Sequence, residues 1–213
     1  MSLIVNGSSA ASYAPIPEGT YLAVCNMLVD LGVQRNETYG NSSRKVLVGW
    51  EIPEETIDID GQPHSRTIRK KYTASLNEKA SLRKDLAAWR GRDFTAQELG
   101  AFDLHNIVGT SCMINVIHSE GQNGRTYANI SAIMALPRGM AKGKLSEPAL
   151  VFDLDTATLD DVDELPGWLG DMIKKSSTYQ DMLAAEEAAD ATEAQTQPEL
   201  VELDDFEDGQ LPF

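Results

Sequence analysis

The sequence predicts a mainly β (α+β) fold, a five-stranded antiparallel barrel with one helix between its third and fourth strands. A C-terminal helix and a disordered acidic tail follow. Three observations carry this expectation. Strand-like apolar patterning fills most of residues 18–137, interrupted by a single stretch, 75–90, with helical spacing. Turn signals, Asp60-Gly61 and Gly121-Gln-Asn-Gly124, fall between strand-like runs. Charge is also divided along the chain: residues 1–145 carry 16 basic and 14 acidic side chains, whereas residues 146–213 carry 2 and 19. A body of net +2 is therefore joined to a C-terminal part of net −17.

The elements follow in order. Residues 1–17 are small and polar, close with Pro15-Ile-Pro17, and read as a flexible arm. Gly19–Val33 is a long, mostly apolar strand, and Gly32 near its end marks a bulge. The polar loop 35–44 leads into Lys45–Ile52, where Val46, Val48, Trp50 and Ile52 share one face. Thr56–Asp60 and Arg66–Thr73 pair as a hairpin across Asp60-Gly61. Ser75-Leu-Asn-Glu78 has the spacing of a capping box and is expected to open a helix that ends at Gly91, with Leu82, Leu86 and Trp89 on its apolar stripe. After a turn segment at Thr95–Phe102, Thr110–His118 and Arg125–Met134 form a second hairpin. Alternation puts Cys112, Ile114, Val116 and His118 on one face of the first, and Thr126, Ala128, Ile130, Ala132 and Met134 on one face of the second. Three strands, a helix and two strands is the order of an OB-fold Greek-key barrel, although other small antiparallel α+β folds also accommodate it.

Beyond residue 137, 138–150 read as a tether, and Leu165-Pro-Gly-Trp-Leu169 leads into a docking helix through about Leu183. Its expected packing residues are Trp168, Leu169, Met172, Ile173, Tyr179 and Leu183. Residues 184–213 are expected to be a disordered acidic tail with an apolar tip, because 184–198 lack large apolar groups.

Composition excludes several classes. No apolar run approaches the roughly 18 residues of a membrane span, and Met1–Asn6 has no positive region before an apolar one, so a cytoplasmic location and no membrane partner are expected. Cys25 and Cys112 sit in apolar stretches as buried, reduced thiols. His64, His105 and His118 are scattered without metal-ligand spacing, and Asp153 and Asp155 stand beside no partner motif. There is no phosphate loop or nucleophile elbow either. No enzyme, cofactor or metal is expected.

Two constellations remain. Cations and aromatic rings interleave on the body, as a groove that holds phosphates and stacks bases requires. Arg35 and Arg44 bracket the first loop around Tyr39, with Lys45 beside them; Arg66, Arg69, Lys70, Lys71 and Tyr72 make the third strand basic; Arg125, Tyr127 and Asn129 point away from the core. A solvated face with Lys and Arg guarding edge strands explains any one of these, but explains the set less well. The second constellation is the tip, where Asp204, Asp205, Phe206, Glu207 and Asp208 precede Leu211, Pro212 and Phe213. A solubilising tail accounts for the acids but not for the apolar end, which suits a pocket rimmed by cations on a partner.

The ending DDFEDGQLPF resembles the acidic, Pro-Phe-terminated tail of bacterial single-stranded DNA-binding proteins. The body, from GTYLAVCNMLVDLGV through KKYTASLNEKASLRKDLAAWRGRDF to LHNIVGTSCMINVIHSEGQNGRTYANISAI, resembles phage and prophage OB-fold proteins that bind single-stranded DNA, and LPGWLGDMIKKSSTYQDML resembles their helix after the barrel. The resemblance implies a barrel that coats single strands without sequence preference in replication, recombination and repair. It also implies a tail that recruits replication or recombination proteins, and a possible homo-oligomer. The competing readings are an interaction adaptor or DNA mimic without DNA binding of its own, and a nuclease or recombination enzyme, for which no carboxylate cluster is evident.

Overall fold

The computed structural model describes residues 14–36 and 40–196. It is mainly β: a curled, open antiparallel sheet with helices packed on it. β1 (Gly19–Arg35), β2 (Ser42–Ile59), β3 (Gln62–Thr73), β4 (Ser111–Glu120) and β5 (Thr126–Met134) lie in the order β3-β2-β1-β4-β5. β1 is long enough to pair with β4 over Gly19–Val24 and with β2 over Val24–Arg35. Asp60 and Gly61 both take positive φ, 54° and 80°, as the two-residue turn of a twisted hairpin requires, and β2 and β3 pair through it. α1 (Ser81–Arg90) packs on β3 and β5, the two ends of the strand path.

β1 faces two cores. Ala23, Cys25 and Leu28 join the first with Trp50, Ile52, Tyr72, Leu86, Trp89 and Ile114. Met27, Val29 and Leu31 join the second. An irregularity between Cys25 and Met27 switches the alternation, so that odd-numbered residues face the first core before it and the second core after it. Trp50 and Trp89 meet at 5.8 Å in the first core, as expected of core residues, and both thiols are buried and free.

The second core is built by the C-terminal segment. β6 (Leu150–Phe152) runs parallel to Met27–Val29, on the edge that β4 leaves after Val24. α3 (Leu159–Glu164), α4 (Gly167–Ile173) and α5 (Ser177–Thr196) follow. Leu154, Val162, Leu169, Ile173 and Tyr179 close over β1 and Leu47. Gly32 is the seat of this docking. It is left-handed at φ 68° beside the second irregularity of β1, and a Cβ there would stand 2.7 Å from Ser176 Oγ and 2.9 Å from Leu154 Cδ2.

Several expectations need correction. Ser75–Glu78 does not cap α1: the helix begins at Ser81 behind Ala80, without a side-chain cap, and Ser75 Oγ instead accepts the Asn77 N–H at 3.2 Å. True capping boxes form at Thr95/Glu98, where the expected turn is a short helix, α2 (Ala96–Gly100), and at Thr158/Asp161. An irregularity opposite Asn115/Val116 shifts β5 by one residue, so Ile133 is buried and Met134 is 39% exposed. The single docking helix is broken at Lys174–Ser176, and α5 continues to Thr196 where no order was expected. Residues 184–189 are exposed, and the high helix propensity of Ala and Glu in this stretch favours the continued helix. Residues 14–17 are also pinned: Ile16 is buried, its carbonyl accepts from His118 Nε2 at 2.8 Å, and Ala14 accepts from Arg66. Among the described residues, no helix is long and apolar enough to cross a membrane.

Candidate nucleic-acid interface

The outward face of β3 carries Thr67, Arg69 and Lys71, because Ile68, Lys70 and Tyr72 turn inward. Tyr72 is therefore not a stacking platform. It is 2% exposed, and its hydroxyl donates to Asp85 Oδ2 at 2.8 Å. Burial, and then the Asp85 carboxylate, raises its pKa. The same Asp85 oxygen takes Lys70 Nζ at 2.7 Å.

Arg44 is likewise unavailable. Its Nε donates to Asp30 at 3.0 Å, its Nη2 pairs with both Asp30 and Asp155, and these hydrogen bonds raise its already high pKa. Asp30, Asp153 and Asp155 offer oxygens within 4.8 Å of one another, but the Arg44 guanidinium already meets the charge of two of them. Lys45 Nζ donates to Thr73 Oγ1 at 2.7 Å, and Arg66 is half-buried against Ala14. Tyr39 lies outside the described residues, as do Asp204, Asp205, Phe206, Asp208, Leu211, Pro212 and Phe213.

Arg35, Arg69, Lys71, Arg125 and Tyr127 are exposed. They fall in separate places. Arg35 ends β1 opposite Ser42, and Arg69 and Lys71 lie on β3. Arg125 and Tyr127 sit at the tip of the β4–β5 hairpin, beyond the last β4 residue paired with β1. The Tyr127 ring lies against Gly121, where a Cβ would come within 2.5 Å of it, and its hydroxyl accepts from Asn123 at 2.8 Å. The ring is thus held by its own turn with 45% of the residue open to solvent.

Sequence reasoning missed two features of this outer surface. One is an uncharged ladder: Thr20 Oγ1 donates to Asn115 Oδ1 at 3.1 Å, Asn115 Nδ2 to Ser131 Oγ at 2.7 Å, and Asn129 Nδ2 to Ser119 Oγ at 2.7 Å. Strand alternation alone could have found it. The other is Trp168, expected in the core but 42% exposed, with the Arg69 guanidinium 4.7 Å from its ring centre. Beside Arg69 runs a groove of about 200 Å³, lined by Asn26, Glu51, His64, Thr67 and residues 146–148. Of the cations on and just after α1, Arg83 pairs with Asp93, and Arg90 and Arg92 share Glu98, whose carboxyl is held well below its usual range by Arg92 first, whereas Lys84 is exposed.

No family model matches this sequence, and no curated protein does. The case for function therefore rests on surface chemistry and strand order.

Proposed function

We propose that this protein binds single-stranded DNA without sequence preference, through a Greek-key barrel of OB type, and recruits replication or recombination proteins through the acidic tip ending at Phe213. The observation that carries the reading is the exposed set Arg69, Lys71, Arg125 and Tyr127 on the outward faces of β3 and the β4–β5 hairpin. It is supported by strand order: β1 is shared between β2 and β4, and α1 lies between β3 and β4, which is the OB order. Binding is stoichiometric. Cations neutralise phosphates while aromatic faces take bases, with roughly 1–3 kcal/mol for each stacked base. In the absence of DNA, acids of the tail compete for the same cations.

The test is fluorescence anisotropy of a labelled oligo-dT at two salt concentrations, with duplex DNA as competitor. Tight, salt-sensitive binding that duplex does not displace supports the reading, and a chain lacking Glu199–Phe213 then binds more tightly at low salt. The charge partition favours one rival, an adaptor whose net −17 segment occupies another protein's nucleic-acid site. Failure of both the full and the shortened chain to bind would establish that rival as the better account.

A further inference from the structure

We infer that Trp168, contributed by the C-terminal segment and not by the barrel, is the base-stacking platform of the β3 face, braced by Arg69. The inference rests on the single-strand reading above.

A tryptophan at the start of a helix that docks on a sheet is expected to face inward. Here the next residue, Leu169, is fully buried, as is Ile173, so the second core fixes α4 and leaves Trp168 outside it, 42% exposed. The ring is not loose. Arg69 lies over it at 4.7 Å, and Arg69 comes from the outward face of β3, two residues from Lys71. A flat indole on a fixed backbone loses little freedom when a base covers it. A guanidinium on the indole keeps positive charge where the phosphates of a stacked strand must pass. The groove beside Arg69 is lined along the same strand by His64 and Thr67 and on its other side by Glu147 and by Glu51, whose carboxylate accepts the Ser146 N–H. An aromatic plane, a cation against it, a further exposed Lys71 and a groove along one strand are the components of a single-strand track.

The other two tryptophans are buried, Trp50 at 1% and Trp89 at 8% exposure, so intrinsic emission that changes on binding reports Trp168. The experiment titrates the full-length protein, Trp168→Ala and Trp168→Phe with oligo-dT, following both tryptophan emission and anisotropy of the labelled strand. The wild type is expected to be quenched on saturation. Trp168→Ala is expected to lose the quench and to bind roughly 5- to 150-fold more weakly, the range of one stacked base. Trp168→Phe loses the quench but recovers most of the affinity, and thermal melting shows whether either variant is folded. Wild-type binding without quenching, or a folded Trp168→Ala with wild-type affinity, overturns the assignment and leaves the single-strand reading standing. No binding by the wild type overturns both.

Discussion

Arg44→Gln should loosen the joint between the sheet and its C-terminal segment. Arg44 stands between two carboxylates of different character. Asp30 is 8% exposed and also accepts the Gly32 N–H at 3.0 Å, within the β1 irregularity on which Leu154 and Ser176 rest. Asp155, three residues after β6, has 61% of its side chain exposed and meets Arg44 at 2.6 Å. An exposed ion pair contributes about 0–1 kcal/mol, so Asp155→Asn should cost less than about 1 kcal/mol. Stranding one charge of a fully buried pair costs about 3–5 kcal/mol. Asp30 keeps one backbone donor, and with 37% of the Arg44 side chain open, water can reach the vacated space, which lowers the expected cost to about 2 kcal/mol.

In a cooperative unit of this size that loss corresponds to a fall in Tm of about 4–8 °C. Thermal and urea melts by circular dichroism measure it. Asp30→Asn in the Arg44→Gln background removes the stranded charge and should recover about half of the loss, and the double-mutant cycle gives the coupling directly. Equal, small effects of Arg44→Gln and Asp155→Asn would refute the reasoning, because they would mean that Asp30 is hydrated despite its burial.

Three further outcomes follow from the placement of side chains. Tyr72→Ala should destabilise by about 3–5 kcal/mol, as for other aromatic core truncations, whereas Tyr127→Ala should stay within about 0.5 kcal/mol and act on oligo-dT affinity; denaturant melts beside anisotropy separate the two. Lys71→Gln and Arg125→Gln should each lower the slope of log affinity against log salt by about 0.7, the single-strand value per phosphate contact, and Arg44→Gln should leave the slope unchanged. Burial pushes the Cys25 thiol up to about 12 and raises Cys112 as well, so neither should react with a thiol reagent at pH 8 until denaturant is added. Because these pKa values are raised on folding, the thiols' contribution to stability is complete below the unfolded value, about 8.5, and is lost as pH rises toward 12.

The sequence made the strands legible because alternation and turn chemistry are local. β1, the Asp60-Gly61 hairpin and the inward set of β4 require only neighbouring residues to be read. The errors at Tyr72 and Arg44 share a cause, which is that partners distant in the chain decide the outcome. Tyr72 reads as a basic-strand aromatic until Asp85, 13 residues away, takes its hydroxyl. Arg44 reads as a free loop cation until Asp155 arrives with the segment that follows β6. A one-residue irregularity in β5 reverses the facing of Ile133 and Met134, and nothing in the local pattern announces it. Trp168 fails in the opposite direction, since bulk and helical position argue for burial, but its neighbours Leu169 and Ile173 take the core.

The acidic C-terminal part, treated as a unit in the sequence, divides in the structure. Residues 146–183 carry nine acids and two lysines, and several of these acids have structural work: Asp155 on Arg44, Asp163 on Lys174 at 2.6 Å, and Asp161 in the capping box of α3. Residues 184–213 carry ten acids and no base. Asp155, Asp161 and Asp163 are committed to ion pairs or a cap, so under the proposed competition they are not the acids that would occupy the cations of the β3 face. Lys70, Arg83, Arg90 and Arg92 are neutralised within the described residues, so on β3 and the β4–β5 hairpin the attraction for a phosphate chain falls to Arg69, Lys71 and Arg125, with Arg35 at the end of β1. Lys79, Lys84, Arg138, Lys142, Lys144 and Lys175 are exposed outside the β3 and hairpin set. Arg35, Arg69, Lys71 and Arg125 contribute roughly −3 to the salt slope if all meet phosphates, and each of the others that a strand reaches adds about −0.7. Stacking on Tyr127 and Trp168 would add roughly 1–3 kcal/mol per base to that electrostatic attraction, and unlike it would persist at high salt, so the salt-independent part of the affinity is where substitutions of the two rings should be read.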